Sequence, residues 1–212
     1  MKTTKAILIL AGALFLLFTP ISSQADTFTF YNITNNVNTD LSGQLFVDVT
    51  DPGNNRVSFK FSNNVGFASS ITDIYFADGL VLVTTPAPEI TTSGNGPNFA
   101  SPATPPELPG SSNKWDVVYS ADSDEPPPLN GIDAAGEWVT IIFDLASEKS
   151  FSDVITDINA GDLLIGLHVQ AIGPNGEGSD SYVVRVPEPG ILILLGLAMS
   201  AIGVASWRMR KI

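Results

Sequence analysis

The sequence predicts a mainly β protein, an antiparallel β-sandwich of the jelly-roll kind with one short helix, followed by one C-terminal transmembrane helix. Three observations carry this. Some nine short runs rich in β-branched and aromatic residues alternate with clusters of Pro, Gly, Asn and Asp. A single stretch, around Val154, has helical spacing. An apolar run from Ile191 to Trp207 lies near the end of the chain.

The first 25 residues read as a secretory signal peptide. Lys2 and Lys5 make a positive start, Ala6 to Phe18 is apolar but short for a membrane span, and Pro20 breaks the helix. Ser23-Gln24-Ala25 then offers small residues to a signal peptidase, with cleavage between Ala25 and Asp26.

Residues 26–186 are predicted to form the exported β domain. Thr27 to Ile33 alternates as a first strand. Gln44 to Thr50 puts Leu45, Val47 and Val49 on one face, and Arg56 to Ser62 returns with Val57, Phe59 and Phe61. Asp51-Pro52-Gly53-Asn54-Asn55 between them is turn chemistry, so the two runs form a hairpin. Ile71 to Phe76 and Leu80 to Thr84 read as a further pair split at Asp78-Gly79. Thr85 to Asn113, rich in Pro, Gly, Ser and Asn, reads as an irregular surface loop. Trp115 to Ser120 is a strand, and Asp122 to Pro128 a polar loop. Glu137 to Leu145 is a strand with Trp138, Val139, Ile141, Ile142 and Phe143. Ser150 to Asn159 is the helix, with Ser150 or Ser152 as its cap, Phe151, Val154, Ile155 and Ile158 as its stripe, and Gly161 as its stop. Leu163 to Ile172 and Ser181 to Val186 complete the strands.

Charge and cysteine content exclude several functions. Within residues 26–186 five Lys and Arg face 21 Asp and Glu, a net of about −16. Such a surface repels nucleic acid and anionic lipid. The chain has no cysteine, which removes disulfides, thiol catalysis and thiolate metal sites, so the exported domain depends on its core alone.

Residues 187–212 have three parts in fixed order: Pro187-Glu188-Pro189, the apolar run, and then Arg208, Arg210 and Lys211. A helix of roughly 18 residues is about 27 Å long, enough to cross a bilayer core. The basic residues stop it on the cytoplasmic side. The prolines cannot continue a helix and leave an extended peptide outside the bilayer.

This order, together with Val186-Pro187-Glu188-Pro189-Gly190 and the signal peptide, resembles the PEP-CTERM sorting signal. The resemblance implies a Gram-negative bacterial protein handled by an exosortase, a membrane-embedded transpeptidase-like cysteine protease, alongside exopolysaccharide export. It makes Pro187, Glu188 and Pro189 the recognition motif, Ile191 to Trp207 the membrane helix, and Arg208 to Lys211 the stop. The stretches 43–49, 70–79, 166–170 and 179–183 resemble exported domains commonly fused to this tail. They imply a compact extracellular domain and supply no catalytic residue.

Candidate sites are few. Asp48 and Asp51 on the hairpin, and Asp122 and Asp124 in the polar loop, are oxygen ligands of the type that suits calcium. Neither pair follows the twelve-residue calcium-loop pattern, and solvated surface is the plainer reading. His168, the one histidine, sits in an apolar strand without a Gly-x-Ser-x-Gly elbow, and reads as structural. Trp115, Trp138, Tyr75, Tyr119 and Tyr182 read as core aromatics before a sugar-stacking platform. The expected function is a non-enzymatic envelope or matrix protein among exopolysaccharide, partnered in transit by signal peptidase and exosortase. The alternatives are a calcium-assisted carbohydrate-binding module and a polysaccharide-degrading enzyme.

Overall fold

The computed structural model describes residues 25–64, 66–77, 79–111 and 115–185, and within them the chain is mainly antiparallel β. The strands are β1 (Ala25–Asn32), β2 (Leu45–Thr50), β3 (Arg56–Asn63), β4 (Ser70–Ala77), β5 (Leu82–Val83), β6 (Glu89–Thr92), β7 (Phe99–Ala100) and β8 (Val117–Ser123). After these come α1 (Pro127–Asn130), β9 (Trp138–Leu145), α2 (Phe151–Ala160), β10 (Leu164–Ile172) and β11 (Gly178–Val184). All pairings are antiparallel, in one curled sheet of order β5-β9-β3-β2-β1-β11-β10-β4-β8-β7, with β6 also on β9.

The curl turns on β1. Ala25 to Thr29 pair with β2, whereas Phe30 to Asn32 pair with β11. The strand therefore belongs to both halves of the sheet. Each half presents its apolar side to the other, and side chains meet between them. Phe76 on β4 packs edge-on against Phe59 and Phe61 on β3 and Phe143 on β9, with ring centroids 5.0, 6.0 and 4.9 Å away. Tyr119 on β8 completes the group at 5.2 Å from Phe143. Leu45, Val47, Val49, Val57, Phe59 and Phe61 are all fully buried, which follows from the period-2 pattern of the hairpin.

The β2–β3 turn and the helix form as their residues dictate. Asp51 Oδ1 accepts from the Gly53 amide at 2.7 Å. Ser150 caps α2 in a capping box with Asp153, and Gly161 ends it in the left-handed region at φ 79°. Phe151, Val154 and Ile158 face the core.

Three expectations differ from the structure. The runs at 71–76 and 80–84 do not pair: β4 lies between β10 and β8, while the shorter β5 lies on β9 in the other half. Every residue of β4 is buried, so it is a central strand, and the chain crosses to the opposite half after it. The stretch 85–113 is more than a surface loop. Its residues 89–92 and 99–100 add β6 and β7, and Ala103 and Leu108 are buried with Tyr75 and Val183. A strap of this stretch thus covers part of the outer side of the second half. Gly166 permits that close approach, because a Cβ there would lie 2.6 Å from Leu108 and 3.0 Å from Trp115. Finally, β8 runs on to Ser123 and β11 starts at Gly178, which takes Asp122 and Asp180 out of loops and into strands.

Among the described residues no helix is long and apolar enough to cross a membrane. The expected span Ile191 to Trp207, the motif Pro187, Glu188 and Pro189, the basic stop Arg208, Arg210 and Lys211, and the signal segment up to Gln24 lie outside the described residues.

Phe76→Ala removes the ring on which both halves converge. It should lower unfolding free energy by about 3–5 kcal/mol in a urea titration; a loss below about 1 kcal/mol would show that the halves are not tied there.

Candidate functional site

The outer side of the second half carries a row of polar residues set by strand register. Ser181 on β11 pairs with His168 on β10, His168 with Asp73 on β4, and Asp73 with Asp122 on β8. Register partners in antiparallel strands point to one side, with Cβ atoms about 5 Å apart. Sequence spacing gives no hint of this, since Asp73 and His168 are 95 positions apart.

Asp73 is the centre of the row. Its side chain is 4 % exposed, and each of its oxygens is occupied. Oδ2 lies 3.0 Å from His168 Nδ1 and accepts from Thr72 Oγ1 at 2.7 Å. Oδ1 lies 3.4 Å from the Tyr75 hydroxyl, whose single proton is shared with the nearer Pro105 carbonyl at 2.9 Å. A buried carboxylate is stable only with such partners. The Asp73 carboxyl group lies against His168 Nδ1 and sets the orientation of the ring. Burial, and then the negative charge of Asp73, push the Tyr75 phenol well above its ordinary range.

Asp122 opens onto a cleft of about 400 Å³ that Thr72, Asp73, Thr104, Asp124, Glu125 and Gln170 help to line. Its Oδ2 accepts from the Thr104 amide at 2.9 Å. Burial raises its carboxyl above the usual range, and the nearby Asp73 and Asp124 charges raise it further against the Thr104 hydrogen bond. Four carboxylates thus edge the cleft. Among the described residues, no three His, Asp or Glu converge as metal ligands, and no serine hydroxyl hydrogen-bonds His168. Ser181 Oγ is buried without a partner among them. The row holds strands together and presents polar groups; it lacks the nucleophile–base bond of acyl transfer.

The residues proposed for calcium are scattered. Asp48 is on β2, where it accepts from Thr27 Oγ1 at 2.6 Å, and Asp51 caps its turn. Both are in the first half of the sheet. Asp122 and Asp124 edge the cleft in the second, and Asp124 Oδ2 accepts from Asn98 at 2.6 Å. Ala25 and Asp26 are the first residues of β1 and pair with Thr50 and Val49. Tyr75, Tyr119 and Tyr182 are buried, while Trp115 and Trp138 are half-buried. Sequence reasoning missed Asp73 and Gln170, which no motif marks. Asp180, at 1 % exposed, is likewise unmarked by any motif.

Beyond the domain, residues 185–211 match the family model of the PEP-CTERM protein-sorting motif. The chain therefore carries the signal that an exosortase recognises, as in an exported, membrane-transiting protein sorted to the envelope. No curated protein matches the chain, and no solved structure does.

Because the folded-state carboxyl of Asp122 is raised, its charge weakens the fold at neutral pH, and that penalty disappears as pH falls through its raised value toward 3.8. Asp122→Asn should therefore raise the melting midpoint at pH 7 and lose this advantage below about pH 4. Equal melting of the two proteins at pH 7 would contradict the assignment.

Proposed function

We propose that the chain is a non-enzymatic surface or matrix protein, delivered by exosortase processing and residing among exopolysaccharide, with its β domain as a jelly-roll-like sandwich. The observation that carries this is the sorting-motif match at residues 185–211, which begins one residue after β11 ends. The domain and its address are continuous. Supporting it, the exported segment has a net charge of about −16 and no cysteine, a hydrated surface suited to a gel of polysaccharide.

Mass spectrometry of the mature protein from producing cells tests the sorting step. The expected C-terminus lies at or near Pro187 to Gly190, and a bulk product ending at Ile212 would leave a plain anchor instead. Replacing Pro187, Glu188 and Pro189 together by alanine should shift the bulk product to the longer form.

A second reading, a calcium-assisted carbohydrate-binding module, is favoured by the cleft edged by Asp122 and Asp124. It expects a midpoint rise of several degrees with millimolar calcium, reversed by chelator. No calcium-dependent shift would dismiss it.

A further inference from the structure

A second cavity, of about 540 Å³, opens beside β1 and the β1–β2 loop, and its wall includes Tyr31, Asn35, Asn38, Thr39, Asp40 and Arg185. The loop that forms it is held rigidly from below. The buried Asp180 carboxylate accepts from the Asn36 amide at 2.6 Å and Thr34 Oγ1 at 2.8 Å through one oxygen, and from the Val37 amide at 3.2 Å through the other. Asn32 Oδ1 accepts from the amides of Thr34 and Asn35 at 2.9 and 2.8 Å. Asn35 itself is in the left-handed region at φ 53°, a conformation that asparagine tolerates better than most residues. Burying a carboxylate and holding a residue there are both costly. What the loop gains from them is a fixed backbone course from Thr34 to Val37.

Three side chains of the pocket wall are uncommitted. The amides of Asn35 and Asn38 and the hydroxyl of Thr39 lack hydrogen-bond partners among the described residues. An amide offers a donor and an acceptor side by side, which matches a pair of neighbouring hydroxyls. Tyr31 is 43 % exposed and adds an apolar ring face with a polar tip. The formal charges at the rim, Asp40 and Arg185, cancel. One carboxylate is too few for a divalent cation, and the strongly acidic domain disfavours phosphates and other anions. The volume is that of a small-molecule site, and because the loop is fixed before a ligand arrives, little ordering entropy opposes binding.

We propose that this pocket binds a neutral saccharide, one or two sugar units of a larger glycan, through the amides of Asn35 and Asn38 and the face of Tyr31. The proposal deepens the reading that the protein resides among polysaccharide, and it rests on that reading for the source of the ligand alone. The pocket includes Arg185, the residue at which the sorting-motif match begins. Glycan would therefore be held at the end of the domain that hands over to the sorting segment.

The test is native gel electrophoresis of the full chain in detergent, in gels cast with dextran, galactomannan, glucomannan, alginate or no polysaccharide. Retardation is expected in at least one of the three neutral gels. Asn38→Ala and Tyr31→Ala should each weaken it about tenfold, while Asp122→Asn, at the other cleft, leaves it unchanged. Thermal melting checks that the variants fold; if Tyr31→Ala does not, Asn38→Ala, at an exposed side chain, carries the test. No retardation in any neutral gel, retardation in alginate alone, or retardation indifferent to the pocket variants would overturn the proposal. A chain that is sorted and trimmed in cells yet runs unretarded sinks the pocket and leaves the sorting reading standing.

Discussion

The backbone pairing of β1 is the constraint on which the remaining architecture depends. A chain without cysteine has no disulfide between the two halves of its sheet. Continuity comes from one strand that gives its first residues to β2 and its last to β11. That switch joins the halves, which then meet through their apolar sides. Phe76, Phe59 and Phe143 fit together because β4 lies opposite β3 and β9, and β4 is held there through β10 and β11 back to β1. Tight packing then makes the arrangement cooperative, since interiors at close-packed density tolerate little displacement.

Outside this core, polar residues do structural work that apolar ones usually do. Three buried polar centres tie loops to strands. Asp180 gathers the β1–β2 loop. Asp73 gathers Thr72, Tyr75 and His168. Gln44 and Asn63 together bond Ser69, the Phe67 amide and carbonyl, and the Ile132 carbonyl. Each satisfies backbone or side-chain groups that burial would otherwise strand, at a cost of about 1–3 kcal/mol apiece if left unmade. An acidic domain of modest size thereby keeps long loops ordered without disulfides.

How much of this was legible in the sequence varies with the range of the interaction. The β2–β3 hairpin, β9 and α2 were readable because alternation, a Pro-Gly-Asn turn, a capping serine and a terminal glycine act within a few residues. Partner choice was not. Ile71–Phe76 and Leu80–Thr84 look like two sides of a hairpin, and nothing local says that one goes to each half of the sheet. Strands β6 and β7 are only four and two residues long, so they have no pattern of their own and exist through their partners β9 and β8. The polar groupings follow the same rule. Asp48 and Asp51, or Asp122 and Asp124, are close in number, but strand geometry and separate hydrogen bonds hold their carboxylates to different tasks. Asp73, His168 and Asp122 are distant in number and are brought side by side by register. The sorting motif was the exception, being a linear signal that needs no fold to be read.

The position of β11 also sets an order of events in time. It is the last strand made, yet it sits between β1 and β10 in the middle of the sheet, and Asn32 and Tyr182, which share a hydrogen bond, are 150 residues apart. Contacts of that span form late, because the intervening chain loses its freedom before they reward it. The second half of the sheet is not joined to β1 until nearly all of the described chain is present. The polypeptide locks into its final form when the residues leading directly into the sorting motif arrive.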